Sequence, residues 1–263
     1  MEAGADTSAT IDFITHPSGV THYGEFVVSH GERLYAASYV PAKTARVNVV
    51  LCPSWGIEAA RQVDWTHRLA HALARKGAAA VLVQWPGTED SEGEASTVTL
   101  DRLVEAAADS TAALRDRAGE REWCVVGMRV GAAPAALLAS VLEASHLVLV
   151  QPELDLPTHF DEQQRLSRRG RLGMDAAPDW AFGMPAPRGL RKEEDRARII
   201  DAVRSFGRAA TVVGYRKSPN EADAYGTRVV RVWGEWTPSA DLEHPSLRNA
   251  AVRSIVRAAK GSR

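Results

Sequence analysis

The sequence predicts an α/β fold built on a doubly wound, mostly parallel sheet. Two observations support this class: short apolar runs typical of buried strands alternate with segments of helical periodicity, and the strand runs end at loops that contain Pro or Gly. Because parallel neighbours need a crossover connection, the alternation predicts helices on both faces of the sheet. The predicted buried strands are 47–52, 78–85, 123–128 and 147–150.

The chain is long enough for one large domain, and we expect a single domain over 1–263. A hairpin over 26–40 precedes the first buried strand, and the first two dozen residues look polar and rich in turns. From 156 to 192 the pattern gives way to Arg, Gly, Pro and charged residues. This stretch is too long for an ordinary connection, so we predict a cap or lid inserted there. The later predicted elements are a helix at 193–206, strands at 210–215 and 229–233, and a helix at 247–259.

Composition and charge are those of a soluble protein with no electrostatic reason to bind nucleic acid. The 32 Lys and Arg residues and the 33 Asp and Glu residues leave a formal net charge of -1. No apolar stretch approaches the ~20 residues that span a bilayer, and the acidic start lacks a signal-peptide core. We therefore expect a cytoplasmic protein with no membrane partner.

The cysteines and paired histidines predict neither a disulfide nor a metal site. Cys52 and Cys124 both lie in apolar strand runs, where a reduced thiol packs as a small hydrophobic group. His67 and His71 have a spacing that can bind zinc on a helix. However, no Glu follows His67 as the metalloprotease pattern requires, and no third ligand is evident. We expect no metal and no cofactor.

The segment Gly127-Met128-Arg129-Val130-Gly131 has the form of a nucleophile elbow, in which a strand turns sharply into a helix. The glycines keep Cβ atoms away from the tight turn, which lifts the central side chain above the sheet. That side chain belongs to Arg129, whose guanidinium stays protonated and has no lone pair to donate. Covalent acyl catalysis at this position is therefore excluded on chemical grounds.

Several motifs together resemble the α/β-hydrolase fold over nearly the whole chain. They are the hairpin, the loop 53–56, the strand end 85–87 with its acidic Gly-rich loop, the elbow, the cap and the C-terminal helix. More narrowly, the segments 127–132, 150–152 and 213–219 resemble the exosortase-A-system-associated hydrolases of the second type, in which an arginine also stands at the elbow. The resemblance implies a sheet of the α/β-hydrolase type with an inserted cap.

The same resemblance implies a substrate-binding and oxyanion site made partly of backbone. The N–H groups of Val130 and Trp55 occupy the positions that form the oxyanion hole in working members. Ser54 is the nearest hydroxyl, and it is either a chemical group or, more commonly in such a turn, a loop hydrogen-bonder. Met128 and Glu153 complete the predicted substrate-facing set.

The predicted catalytic residues are Arg129, His244 and Glu235. His244 lies before the last helix, where the fold places its catalytic histidine, and Glu235 follows the last strand, where an orienting acid belongs. Each has an alternative: His244 as a packing residue and Glu235 as a solvated loop residue. Arg129 either anchors an anionic substrate group or pairs with Glu153, Asp155 or Glu235 in an inactive site.

Two functional hypotheses follow. The first is an enzyme that acts on an acyl, ester or peptidyl metabolite by non-covalent acid/base and oxyanion chemistry. The Ala- and Arg-rich composition resembles that of actinobacterial proteins, which suggests natural-product biosynthesis. The second is a catalytically inactive binding or scaffold protein. An Arg129 held by two buried carboxylates under a closed cap would favour the second.

The expected partner is a small-molecule or carrier-linked acyl substrate, with homo-oligomerisation left open. The basic run 165–171 either grips the phosphates of such a carrier or is a solvated face of the cap.

Overall fold

The structure is a computed structural model that describes residues 8–169, 180–181, 184–215, 226–232 and 245–261. The strands are β1 Ser8–Thr15, β2 Thr21–Ser29, β3 Glu32–Val40, β4 Asn48–Cys52, β5 Ala79–Val83, β6 Trp123–Met128, β7 His146–Val150, β8 Trp180–Ala181, β9 Met184–Pro185, β10 Ala210–Tyr215 and β11 Arg228–Val232. The helices are α1 Gly56–Arg75, α2 Leu100–Ala118, α3 Ala132–Val141, α4 Leu156–Arg169, α5 Glu193–Phe206 and α6 Pro245–Gly261. Short turns of 3₁₀ helix lie at Ala95–Thr97, Arg129–Gly131, Arg188–Leu190 and Gly207–Ala209.

Nine strands form one sheet in the order β1-β2-β3-β5-β4-β6-β7-β10-β11. The first three strands pair antiparallel with their neighbours, whereas β5, β4, β6, β7, β10 and β11 run parallel to one another. This confirms the predicted mostly parallel sheet. The strands β4, β5, β6, β7 and β10 are mostly apolar and almost fully buried because helices cover both of their faces, whereas the edge strand β11 contains Arg228 and Arg231 and is partly exposed.

Alternate side chains along each strand pack on opposite faces of the sheet. Val50 and Val125 belong to a core shared with α2, α3 and α5, while Val49 and Val126 belong to a core shared with α1 and α6. The strands β4, β5, β6, β7 and β10 thus contribute to two apolar layers, while Val230 and Val232 of β11 belong to the layer shared with α1 and α6. The sheet is doubly wound, as predicted.

The N-terminal region corrects an expectation, because residues 8–15 form strand β1 rather than a turn-rich segment. This strand pairs with β2 across a register shift between Thr10 and Asp12. Phe13 is 63% exposed and Ile14 is 62% exposed, so these two apolar side chains do not enter the core. Hydrophobic patterning therefore gives no sign of a strand at this end of the segment.

The predicted cap segment forms helix α4, the short hairpin β8–β9 and a 3₁₀ turn. The indole Nε1 of Trp55 donates a 2.8 Å hydrogen bond to the carbonyl oxygen of Pro185, which ties the hairpin to the loop after β4. Residues 170–179 and 182–183 lie outside the described part of the chain. The division into a domain with an inserted cap stays a prediction.

Cys52 and Cys124 are free, buried thiols. Burial raises the pKa of both, that of Cys124 to about 12, so neither is a ready nucleophile. None of the helices described here is both long enough and apolar enough to cross a membrane.

Candidate functional site

The elbow joins β6, at the centre of the sheet, to α3. Arg129 has a φ of +52°, a left-handed conformation that is strained for a residue with a side chain. A Cβ on Gly131 would lie 2.0 Å from the carbonyl oxygen of Pro53, and one on Gly127 would lie 2.5 Å from the Cα of Ala132. Only glycine fits at both positions, so the motif is explained by close backbone packing.

The guanidinium of Arg129 is buried and held by two carboxylates. Its Nε and Nη2 donate to Oε2 and Oε1 of Glu58 at 3.2 and 3.1 Å, as a bidentate pair. Its Nη1 donates to Oε1 of Glu153 at 2.7 Å and to the carbonyl oxygen of Gln151 at 3.0 Å. Arg129 is only 4% exposed, whereas the side chains of its partners are 15% exposed for Glu58 and 29% exposed for Glu153, so the pair with Glu58 is the more deeply buried of the two.

Both carboxylates are positioned by local structure. Glu58 lies in the first turn of α1, where the helix dipole favours a negative charge, and it accepts a 2.8 Å hydrogen bond from the Ser54 hydroxyl. Glu153 follows β7, and its backbone N–H donates to the carbonyl oxygen of Arg129 at 3.0 Å. Gln151, two residues before Glu153, has a positive φ of 48°, and its carbonyl oxygen accepts a hydrogen bond from the guanidinium of Arg129.

Glu58 and Arg129 favour their charged forms although both are buried. Burial raises the pKa of Glu58, but the charges of Arg129 and His159 and the hydrogen bonds from Arg129 and Ser54 outweigh it, so the pKa lies below its usual value. Burial lowers the pKa of Arg129, and Glu58 and Glu153 more than restore it. One guanidinium therefore lies between two carboxyl groups.

His159 brings the cap helix α4 to this cluster. Its Nδ1 lies 3.8 Å from Oε2 of Glu153, and burial lowers its pKa although Glu58 and Glu153 oppose the shift. A cavity of about 20 Å³ lies beside it, lined among others by Glu58, Trp55 and Phe160. That volume holds roughly one water molecule, so the described residues leave little space at the cluster.

The residues predicted to supply the oxyanion donors are both buried, Val130 in the 3₁₀ turn that follows β6 and Trp55 directly before α1. Their role as oxyanion donors stays a prediction. Ser54 is buried and serves as a hydrogen-bond donor in its loop. Met128 was predicted to face substrate, but its side chain is fully buried in the core against α1 and α6.

Arg129 was predicted either to anchor an anionic substrate group or to pair with a nearby carboxylate. It pairs with Glu153, as one alternative proposed, whereas Asp155 pairs with Arg196 at 3.3 Å. His244 and Glu235 lie outside the described residues, and their roles stay predictions. In the described ranges, no group of three or more His, Cys, Asp or Glu side chains could hold a metal ion.

Sequence reasoning missed Glu58 and His159. Glu58 could have been found, since it lies in the first turn after a loop at the carboxyl edge of the sheet, where site residues converge. His159 carried no comparable signal, because its position depends on how α4 folds back over that edge.

No protein-family model and no curated protein sequence matches this chain. Solved structures do match. The esterase Est1E from Butyrivibrio proteoclasticus, with ferulic acid bound, is 15% identical with a TM-score of 0.62, over 88% of this chain and 98% of that one. The chain has the α/β-hydrolase fold.

Two further α/β-hydrolase-fold structures agree. A thermostable carboxyl esterase from Bacillus coagulans is 11% identical with a TM-score of 0.62, over 92% of this chain and 98% of that one. An α/β hydrolase from Novosphingobium aromaticivorans is 16% identical with a TM-score of 0.57, over 91% and 98%. At such low identity the likeness establishes the fold of this α/β-hydrolase-fold chain and leaves its chemistry to the site.

Proposed function

We propose that this chain is an α/β-hydrolase-fold protein that binds its ligand without covalent acyl catalysis, and that Arg129 is the structural centre of a closed elbow. The observation that carries the proposal is the bonding of its guanidinium to Glu58, Glu153 and the Gln151 carbonyl. A residue that is 4% exposed and engaged in this way ties the elbow to α1 and to the end of β7.

Charge also argues against an anion-anchoring role for Arg129. The cluster of Arg129, Glu58 and Glu153 is net negative when all three groups are ionised. A substrate carboxylate or phosphate entering it would have to displace one of the two carboxylates from a buried ion pair, and an unpaired buried charge is strongly unfavourable. This supports the scaffold or binding hypothesis.

A second candidate is the non-covalent acid/base enzyme acting on an acyl, ester or peptidyl metabolite, with a carrier-linked substrate and a natural-product pathway as its setting. It is supported by the location of Val130 and Trp55, which lie shortly after β6 and β4, where backbone N–H groups can stabilise a developing oxyanion. In this scheme His159, beside Glu153, moves the proton, with His244 and Glu235 as the further predicted participants.

The first test is covalent labelling. Purified protein is incubated with p-nitrophenyl butyrate and with a fluorophosphonate probe, and intact mass and p-nitrophenol release are followed. We expect no adduct and no burst, and the same from Arg129→Ser, because a hydroxyl also needs a base within hydrogen-bond distance. A burst with an adduct at Ser54 or within 127–131 would overturn the proposal.

The second test separates the two candidates. A panel of acyl, ester and peptidyl metabolites is screened for a rise in Tm and, by mass spectrometry, for conversion. Stabilisation without conversion supports the binding function. Conversion that His159→Ala abolishes while the protein stays folded supports the acid/base enzyme and overturns the binding function.

A further inference from the structure

A concentrated positive surface lies away from the elbow, on α6 and the adjoining ends of α1 and β11. We call it the basic face, and it consists of Arg75, Lys76, Arg228, Arg248, Arg253 and Arg257. None of these side chains forms an ion pair or hydrogen bond with another described residue, although most other described arginines do. The whole chain has a net charge of only -1, so the basic face is far more positive than the chain as a whole.

Two open grooves run on either side of α6. One, of about 470 Å³, is rimmed by Lys76, Arg228, Arg253 and Arg257, and its floor includes valines of β11 and α6. The other, of about 620 Å³, is lined by Arg75 and Arg248 among others. Among the described residues that line the two grooves there is no Asp or Glu, so the charged side chains of these linings are all basic.

Helix α6 does not relieve this repulsion within its own sequence. It contains no acidic residue over Pro245–Gly261, and Arg253 and Arg257 lie one helical turn apart on its exposed side. Like charges at that spacing destabilise a helix. An arrangement that is unfavourable in the isolated chain becomes favourable when an anionic partner covers it.

The basic face is remote from the Arg129 cluster. Helix α1 begins beside the cluster, with Glu58 in its first turn, and its 20 residues end at Arg75. At 1.5 Å per residue, Arg75 lies roughly 25 Å along the helix from Glu58. Arg228 is the first residue of β11 and so lies at the amino ends of the parallel strands, whereas the elbow follows the carboxyl end of β6. The basic face is therefore separate from the Arg129 cluster.

We propose that the basic face docks an acidic protein segment that carries apolar side chains along one side. Guanidinium groups bind carboxylates in a bidentate manner, and the valine floor offers an apolar surface that the partner's own apolar side chains can cover. A nucleic acid backbone would use the cations but leave the apolar floor uncovered. The groove beside α6 has the form of a helix-in-groove site with charged rims.

The test is fluorescence anisotropy with synthetic probes on the full chain. The probe is a labelled 16-residue helical peptide with Leu on one face and Glu on the other. Matched probes replace Glu by Gln or by Lys, and two further probes are a 16-base-pair DNA duplex and vesicles with an anionic lipid. We expect the Glu peptide to bind best and its affinity to fall at least tenfold between 50 and 500 mM salt, because exposed charges are screened.

Charge-reversal variants locate the binding. The double variant Arg253→Glu with Arg257→Glu is expected to bind the Glu peptide at least tenfold more weakly than the wild type does. The matched control, Arg61→Glu with Arg168→Glu, changes the net charge equally at two exposed arginines outside both grooves and is expected to change affinity less than twofold. Equal loss in both pairs, no binding of the Glu peptide, or tighter binding of DNA or vesicles would each overturn the proposal.

Discussion

Arg129 and Arg253 are the same residue type in opposite situations. Arg129 is 4% exposed and held by Glu58, Glu153 and a carbonyl, whereas Arg253 is exposed and has no partner among the described residues. The elbow position suggests a functional role for Arg129, yet its charge is already neutralised within the fold. The charge that remains available to another molecule is on the basic face. Position in a familiar motif and availability for recognition are therefore separate properties.

The largest effect is expected from removing the buried cation. Arg129→Met leaves Glu58 and Glu153 without their partner and should lower the free energy of unfolding by about 3 to 5 kcal/mol. Urea denaturation at pH 7 measures it. The triple variant Arg129→Met, Glu58→Leu, Glu153→Gln should recover most of the loss, since no charge is then stranded. A loss under about 1 kcal/mol in the single variant would mean that the cluster is not a structural centre.

The next effect concerns the backbone of the elbow. Gly131→Ala would place a Cβ 2.0 and 2.4 Å from the carbonyl oxygens of Pro53 and Cys52, and we expect a loss of about 3 kcal/mol. At Gly31 a Cβ meets nothing within 4 Å, so Gly31→Ala should lose only about 1 kcal/mol, from its positive φ. The free energy of unfolding of both variants is measured by thermal and urea denaturation. Equal losses in Gly131→Ala and Gly31→Ala would show that close backbone packing is not the reason for a glycine at position 131.

A smaller effect is expected in the pH dependence of stability. The folded pKa of Glu58 is lowered, so its contribution is present above the unfolded pKa near 4.5 and is lost as the pH falls through the folded value. Glu58→Gln should therefore flatten the fall in unfolding free energy below pH 4.5. Parallel curves for the wild type and the variant would contradict an ionised, paired Glu58.

His159 should also lower the free energy of unfolding as the pH falls, but at a higher pH than Glu58. Its folded pKa is lowered by burial, so stability is lost as the pH falls below the unfolded pKa near 6.5. His159→Gln should remove this loss, which urea titrations at pH 7 and pH 5.5 would measure. Its control is His30→Gln, at an exposed histidine that pairs with Glu105 outside the cluster.

The smallest effect is expected on the basic face. Arg253→Ala with Arg257→Ala should change the free energy of unfolding by no more than about 0.5 kcal/mol, because neither side chain has a partner to lose among the described residues. The same variant should lose affinity for the Glu peptide. A large loss of stability would mean that these arginines hold the fold, as Arg129 does.

The strands β4, β5, β6 and β7 could be predicted because each is mostly apolar and buried and is followed by a helix. The helix at 193–206 and the strand at 210–215 agree with the structure at both ends. Strand β1 was missed, and the apolar side chains of Phe13 and Ile14 are exposed, so they do not mark a core-facing strand.

The site was predictable only where it depends on local sequence. The bend at Arg129 follows from two glycines close in the chain, and Glu153 follows from its strand exit. The bidentate partner Glu58 and the cap residue His159 are set by how α1 and α4 fold toward the elbow. Such long-range arrangement has no periodic signature. His244 and Glu235, outside the described residues, stay predictions.

The segregated cations have an electrical consequence for the whole molecule. With a net charge of -1 on the whole chain, the six cations of the basic face are balanced by a net negative charge on the remaining residues. Above its isoelectric point of about 6.7, such a molecule should still be retained by a cation-exchange resin, oriented with α6 toward the matrix. Its retention on the resin would then be determined by the positive charge of the basic face and not by the net charge of the chain.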